Sequence, residues 1–406
     1  MVGATSAVRA LGSVTAGTLL ANVLAYLVQV PASRLLGPDG FGEFSVLNAA
    51  MLVLSVPALA LQAVVAREVV AGTSRARLWK LIGVVGLVVA VGSVFAVGVM
   101  MRLADTGLAS TAAAIAGAAP LALVAGGQGF LQGAGRFGTL GGVLAGVGVL
   151  RSVPVVLAVV AGAGPTGALL SGTGGTVVAA LVVAAIAARS GHQEDTGAVS
   201  RVALPDVLAA SGVQFVMIVA VSVDLLLSRS VLSTGDAGLY SLGAVATKAA
   251  FWLPQAIGVM VYPRLADPVR SAAALWRAVV VLATIGFVVT VAAAAGSLVP
   301  AVIPADYRPV AGLIWLFALT GALLAVLQLM LLAAIARNRA RGAAPAFVVL
   351  IVEVTLILTV ADSVLGLAVI ATGSAACAVA ATGTWLAVAS RTSSDRAGES
   401  SRSLIE

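Results

Sequence analysis

Apolar stretches of about twenty residues, separated by short polar breaks, recur along nearly the whole of this 406-residue chain. An α-helix rises 1.5 Å per residue, so about 20 apolar residues cross a hydrocarbon layer roughly 30 Å thick. Such stretches lie near residues 11 to 33, 44 to 66, 79 to 101, 109 to 132, 139 to 161, 166 to 188, 205 to 228, 238 to 262, 275 to 298, 309 to 335, 343 to 361 and 365 to 390. They predict an all-α integral membrane protein of about twelve transmembrane helices. The first stretch follows Arg9 and reads as a spanning helix. It is longer than the roughly 7 to 15 residue apolar core of a signal peptide and lacks an A-x-A exit. Gly and Ala blur the boundaries of the third to sixth spans, and Gly142-x-x-x-Gly146 predicts a close helix contact in the fifth.

Basic residues in short loops stay on the cytoplasmic side, and here they alternate. One side holds Arg9, Arg67, Arg75, Arg77, Lys80, Arg136, Arg189, Arg201, Arg264, Arg270, Arg277, Arg337, Arg339, Arg341, Arg391, Arg396 and Arg402. The other keeps Arg34, Arg102, Arg229 and Arg308. Both termini are therefore expected in the cytoplasm, which requires an even number of spans.

An internal repeat divides the chain. Arg34, Gly42, Ser45, Pro57 and Arg67 recur as Arg229, Gly238, Ser241, Pro254 and Arg264, at offsets of 195 to 197, and Phe44 is answered by Tyr240. Gln128 and Arg136 recur as Gln328 and Arg337, at offsets of 200 and 201. Six spans per half is even, so the halves keep one orientation. They should be related by a pseudo-two-fold axis along the membrane normal, as in transporters built from parallel repeats. The expected organisation is a six-helix lobe over 1–200, a second over 201–390, and a polar, Ser-rich cytoplasmic tail over 391–406 that reads as disordered.

Composition removes whole classes of function. With 61% hydrophobic and 10% charged residues and a mean hydropathy of +1.12, the chain has far more apolar surface than a core can hide, and the excess must face lipid. The formal net charge of +7 follows the topology of the loops, so nucleic acid is not the expected partner. One cysteine, Cys377, and one histidine, His192, permit neither an internal disulfide nor a His/Cys metal cluster, and nothing in the sequence implies a cofactor.

Polar residues inside spans are costly against lipid and mark a path or a packed contact. The first span carries Thr15, Thr18, Asn22, Tyr26, Gln29 and Ser33 at steps of three and four, which is one helical stripe. The second carries Asn48, Ser55 and Gln62 at steps of seven. In the second half, Ser241, Lys248, Gln255 and Tyr262 repeat that step, and Asp224 and Ser228 lie four apart. Interhelical hydrogen bonding explains any one of them. Four stripes on the corresponding first two spans of each half favour a shared aqueous cavity. Arg151, Asp224, Lys248 and Glu353 are charges within spans, each costing about 2.5 to 3.5 kcal/mol at a helix centre on insertion scales. Arg151 and Glu353, 202 apart, occupy near-equivalent places with opposite sign. Either they form an ion pair, or Arg151 and Lys248 hold an anionic head group while Asp224 or Glu353 binds a coupling cation.

The stretches Arg34-Leu-Leu-Gly-Pro-Asp-Gly-Phe-Gly-Glu-Phe44, Asp224 through Tyr240, Pro254 to Pro263-Arg264, and Asp306-Tyr307 resemble those of the polysaccharide-biosynthesis flippases. These belong to the exporter superfamily that also contains multidrug antiporters and the lipid II flippase. The resemblance spans nearly the whole chain. It implies two six-helix lobes, alternating access by rocking of one lobe against the other, and a place in the bacterial plasma membrane. It also implies transport of undecaprenyl-pyrophosphate-linked oligosaccharide to the outer leaflet for cell-surface polysaccharide, with coupling to H⁺ or Na⁺ left open. The family has no short catalytic signature to carry over.

Two alternatives remain. A multidrug or small-solute antiporter would use the same fold and a carboxylate such as Asp224 or Glu353. A membrane glycosyltransferase or polymerase would need carboxylates poised at the surface and a sizeable loop or domain, and the loops here are short. Its best acidic pair, Asp39 and Glu43, is explained by a helix start, so no enzyme activity is expected. Ser171-Gly-Thr-Gly-Gly-Thr176 lacks the Gly-Lys-Ser/Thr ending of a phosphate loop and lies within an apolar span, which leaves ATP hydrolysis unsupported.

Overall fold

The structure, a computed structural model, describes residues 2–189, 204–252, 271–296, 303–336 and 344–402. In chain order these form α1 (Val2–Leu35), α2 (Gly37–Leu54), α3 (Val56–Val70), α4 (Arg75–Leu103), α5 (Leu108–Ile115), α6 (Ala118–Gly133), α7 (Phe137–Val160), α8 (Gly164–Arg189), α9 (Leu204–Ala220), α10 (Val223–Val231), α11 (Thr234–Trp252), α12 (Ser271–Gly296), a 3-10 turn (Ala305–Tyr307), α13 (Arg308–Ala311), α14 (Ile314–Ala336), α15 (Ala344–Val360) and α16 (Val364–Arg402). The protein is an all-α, multi-pass membrane protein. Nine helices among the described residues are long and apolar enough to cross a membrane, and the bent pair α9 and α10 makes a tenth. Two shorter helices, α11 and α15, fall where the eighth and eleventh spans were expected.

Three expected spans are each built from two pieces, for local reasons. Pro57 near the start of α3 has no N–H for the preceding turn, and the break at Ser55 is closed by its hydroxyl, which donates to the Leu52 carbonyl at 2.7 Å. The α5–α6 break falls at Ala116 and Gly117. There a Cβ on Gly117 would come within 3.1 Å of the Met51 sulfur. The α9–α10 break bends the chain by 42°.

Contacts divide the chain into two compact units, Met1–Ser230 and Val231–Glu406. The centre of the first is α6, whose glycines each admit a neighbour. Gly126 faces Ile82 of α4, with its Cγ2 3.1 Å from an added Cβ, and Gly127 faces Val183 of α8. Gly129 and Gly133 face the backbone of α3 at Gln62 and Ala66, at 2.7 and 2.6 Å. The centre of the second unit is α14. Thr247 of α11 donates to the Phe317 carbonyl at 3.0 Å, and the Tyr240 ring meets the Phe317 ring edge-on at 5.0 Å. Gly286 of α12 approaches Ala322, and Thr320 bonds Thr372 of α16 at 2.7 Å. Gln128 lies on α6 and Gln328 on α14, so the sequence repeat maps onto the central helix of each unit. Phe44 and Tyr240, and Ser45 and Ser241, are buried in both copies.

Residue pairs also give the direction of each helix. Along α1 and α7, Ser13 donates to Phe137, Gly17 meets Gly141 and Ala21 meets Gly148, in ascending order on both, so the two run parallel. Against α8 the order on α7 reverses, Gly172 facing Val155 and Gly175 facing Leu150. The first and fifth spans thus run together and the sixth runs against them, as the alternation of basic loops requires.

The glycines of α7 require a correction. An added Cβ would meet nothing within 4 Å at Gly142 or Gly146, whereas at Gly148 it would lie 2.7 Å from the Cα of Ala21. Gly141 and Gly148, seven apart, make the contact with α1. A helix presents one face to a straight neighbour, and Gly142 lies about 100° around from Gly141. The repeat boundary expected near residue 200 and the contact boundary at Ser230 also fall apart, because α9 packs on α3 and α4 and buries Val207 in their core.

Candidate functional site

On α1 the polar stripe divides in two. Thr18 and Ser33 return their hydroxyls to their own helix, to the Val14 and Val30 carbonyls at 2.9 and 3.1 Å. Tyr26 and Gln29 do not: the Tyr26 hydroxyl and Gln29 Oε1 are buried without a hydrogen-bond partner among the described residues. Asn22 lies one turn earlier on the same half-buried stripe.

Arg151 sits on α7, half-buried, with its Cα 3.4 Å from a Cβ built on Gly175. Among the described residues its guanidinium has neither a hydrogen-bond nor an ion-pair partner. The parallel register that brings Ala21 to Gly148 places Arg151 level with Leu24, within about 3 Å along the axis of Asn22 and Tyr26. Two polar groups of α1, Asn22 and Tyr26, and one cation of α7 therefore share one depth of the first unit, with Gln29 about a turn further along.

Asn48 is half-buried on α2. Gln62 donates its amide to Gln132 Oε1 at 3.1 Å, a tie between α3 and α6. Asp224, 4% exposed, lies in the first turn of α10 at the bend, where the helix N-terminus favours a carboxylate. In the second unit Lys248 is half-buried on α11, and Glu353 is 7% exposed on α15. Gln255, Tyr262, Pro254 and Arg264 lie outside the described residues. Arg151 belongs to one unit and Glu353 to the other.

Other polar groups are structural. Glu43 accepts from the Ser110 hydroxyl and, at 3.4 Å, from the Gly107 N–H, so it closes the start of α5. Ser171, Thr173 and Thr176 all donate to backbone carbonyls within or beside the continuous helix α8, with Thr173 reaching Ala113 at 2.6 Å. That is helix packing and not a phosphate loop. Among the described residues no group of three or more His, Cys, Asp or Glu could hold a metal.

The sequence reading missed two clusters. Glu68, 5% exposed in the last turn of α3, accepts from the Thr73 hydroxyl at 2.8 Å and lies 3.4 Å from Arg67. Arg75 donates to the Ala187 carbonyl in the last turn of α8 and covers the Phe130 ring at 5.4 Å. Both lie beside a basic loop whose Arg67, Arg75, Arg77 and Lys80 served only to set topology, and Glu68 gave no signal. The second cluster is the docking of Arg229 onto the α4–α5 turn, for which no periodicity gives a signal.

No family model matches the sequence, and neither does any curated protein. Solved structures do. The chain is similar to the lipid II flippase MurJ in an inward closed conformation, with a TM-score of 0.70 and 10% identity over 91% of this chain and 86% of that one. It is similar to a multidrug resistance MATE transporter of the MOP superfamily in an inward-facing conformation, with a TM-score of 0.61 and 17% identity over 93% and 95%. A third match is a MOP superfamily transporter from Pyrococcus furiosus described as having a binding pocket of reverse polarity, with a TM-score of 0.56 and 14% identity over 93% and 96%. The chain has the fold that these superfamily transporters share.

Proposed function

We propose that the protein is a flippase that moves undecaprenyl-pyrophosphate-linked oligosaccharide from the cytoplasmic to the outer leaflet by alternating access. The observation that carries this reading is Arg151, a half-buried guanidinium within a membrane span that no group among the described residues pairs. A charge so placed is expensive unless an anion joins it, and a guanidinium is a planar fork of donors suited to a phosphate. Tyr26 and Gln29, with polar atoms unsatisfied among the described residues, and Asn22 on the same stripe can receive sugar hydroxyls or the remaining phosphate oxygens. Asn48 and Gln62 add polar groups on the second span, and in the second half Lys248 and Gln255 are the residues to which the sequence repeat assigns the corresponding role. The fold it shares with a lipid II flippase supports a lipid-linked substrate.

The second reading is a cation-coupled multidrug or small-solute antiporter. Its support is the burial of two carboxylates, Asp224 and Glu353, and the likeness to MATE transporters. Complementation separates the two. A strain lacking this protein should accumulate lipid-linked oligosaccharide in the inner leaflet while keeping its resistance to cationic drugs, and Arg151→Gln should not relieve the accumulation. Lost resistance with normal glycan display would favour the antiporter.

A further inference from the structure

The seventh span is the first of the second repeat, yet α9 packs on α3 and α4, and α10 up to Ser230 falls within the first unit. Near its start, Val207 is wholly buried in the core formed by α3, α4 and α6. At its far end, in the last turn of α10, Arg229 donates from Nε to the Ala104 carbonyl at 2.6 Å and from Nη2 to the Asp105 carbonyl at 3.1 Å. Ala104 caps the C-terminus of α4, where a helix presents carbonyls and partial negative charge that suit a cation. The third nitrogen, Nη1, is buried without a partner among the described residues. One guanidinium thus makes this polar contact, with one of its nitrogens left over.

Its receptor is a stiff turn. Thr106 and Thr111 share a hydrogen bond at 2.7 Å, Thr111 donates to Gly107 at 2.7 Å, and Glu43 of α2 holds Ser110. Within that turn Asp105 has a φ of +45°, and it is the one non-glycine residue with positive φ among those described. A non-glycine residue in that region stores strain and persists only where its surroundings hold it there. The corresponding residue of the first half, Arg34, is exposed at the end of α1 and has no hydrogen-bond partner among the described residues. The contact is therefore not a repeated feature of the fold. Two residues after Arg229 the chain passes into the second unit at Val231, and the bend between α9 and α10 gives α10 a pivot.

We infer that Arg229 is a releasable latch, holding α10 on the strained α4–α5 turn at the end of the molecule opposite the basic loops, and that its release is a step in opening toward that side. This rests on the alternating-access reading above. Two carbonyl contacts made by one charged side chain hold firmly but let go as a unit. Relaxation of Asp105 when they part offsets some of what is lost.

A buried hydroxyl beside the latch provides the probe. Ser228 is wholly buried and bonds only within its own helix, to the Leu225 carbonyl at 2.7 Å, so Ser228→Cys is nearly isosteric. In the full-length protein carrying Cys377→Ala, Ser228→Cys should react slowly with an impermeant maleimide applied from outside. Adding Arg229→Ala should raise that rate about tenfold, the factor that corresponds to losing about 1.4 kcal/mol of closure, and Arg229→Lys should raise it less. Asp105→Gly, which adopts positive φ without strain, should lower it. An Arg229→Ala protein that elutes as a single species and labels at the parental rate overturns the latch. Should that variant fail to fold, an Asp105→Gly rate equal to or above the parental one overturns it instead. No substrate takes part in this assay. A failed latch leaves the proposed cargo standing, and normal gating with lipid-linked glycan left unmoved defeats the cargo alone.

Discussion

Gly17 of α1 and Gly141 of α7 meet backbone to backbone: a Cβ added at Gly17 would lie 3.0 Å from the Gly141 Cα and still closer to its carbonyl. At Gly142 and Gly146, in the same helix, an added Cβ has nothing within 4 Å. Gly17→Ala or Gly141→Ala should therefore force the helices apart and cost about 1 to 3 kcal/mol by overpacking. Gly142→Ala and Gly146→Ala should be neutral or slightly stabilising, because Ala is the better helix former. Thermal unfolding of the four purified variants in detergent checks this, and equal losses at all four positions would contradict the assigned contact.

This pair also marks how far a sequence carries. The all-α class and the places of the spans along the chain were legible, because lipid contact demands apolar length. The repeat was legible through residues such as Phe44 and Tyr240, which occupy equivalent buried places. Which glycine pair packs was not, because composition gives the small residues of a helix but not the azimuth of its neighbour, and Gly142 and Gly146 matched the spacing while facing away. Candidate polar residues were legible as a stripe. Their sorting into self-satisfied hydroxyls (Thr18, Ser33) and unsatisfied groups (Tyr26, Gln29) needed coordinates. Arg229 was visible as a repeat partner of Arg34 and as a basic residue of the sparser side, but not as a docking group, since its acceptors are backbone carbonyls, which every sequence has.

Arg151 has no polar partner among the described residues, and this separates a ligand-binding role from a structural one. If it awaits an anion, Arg151→Gln should leave the unfolding temperature unchanged or raise stability by up to about 1 kcal/mol, since an uncompensated buried charge is removed, while transport fails. If it instead pairs with Glu353, losing one partner should cost about 3 to 5 kcal/mol. The exchange Arg151→Glu with Glu353→Arg should then restore both folding and transport. The ligand assignment predicts that the exchanged protein stays inactive.

Topology has a direct chemical test. Asp39 and Ala305 are exposed at the ends of spans expected outside, and Ala76 is exposed in the α3–α4 region expected in the cytoplasm. In a Cys377→Ala background, Asp39→Cys and Ala305→Cys should react with impermeant maleimide on intact cells and Ala76→Cys should react only after lysis. Gly37 is a poorer probe, because its φ of +66° strains any side chain placed there. Labelling of Ala76→Cys on intact cells, with Asp39→Cys protected, would invert the protein and the direction of transport.

The central claim, that the cargo is a lipid-linked oligosaccharide carried past positive charge, is tested by measuring the leaflet in which that lipid accumulates. A deletion strain should make undecaprenyl-pyrophosphate-linked oligosaccharide and strand it in the inner leaflet, and the wild-type gene should clear it. Lys248→Met keeps the stem of this half-buried residue of α11 and removes only its charge, so it should leave protein levels normal and the lipid stranded. Normal glycan display without inner-leaflet accumulation in the deletion strain would contradict the account.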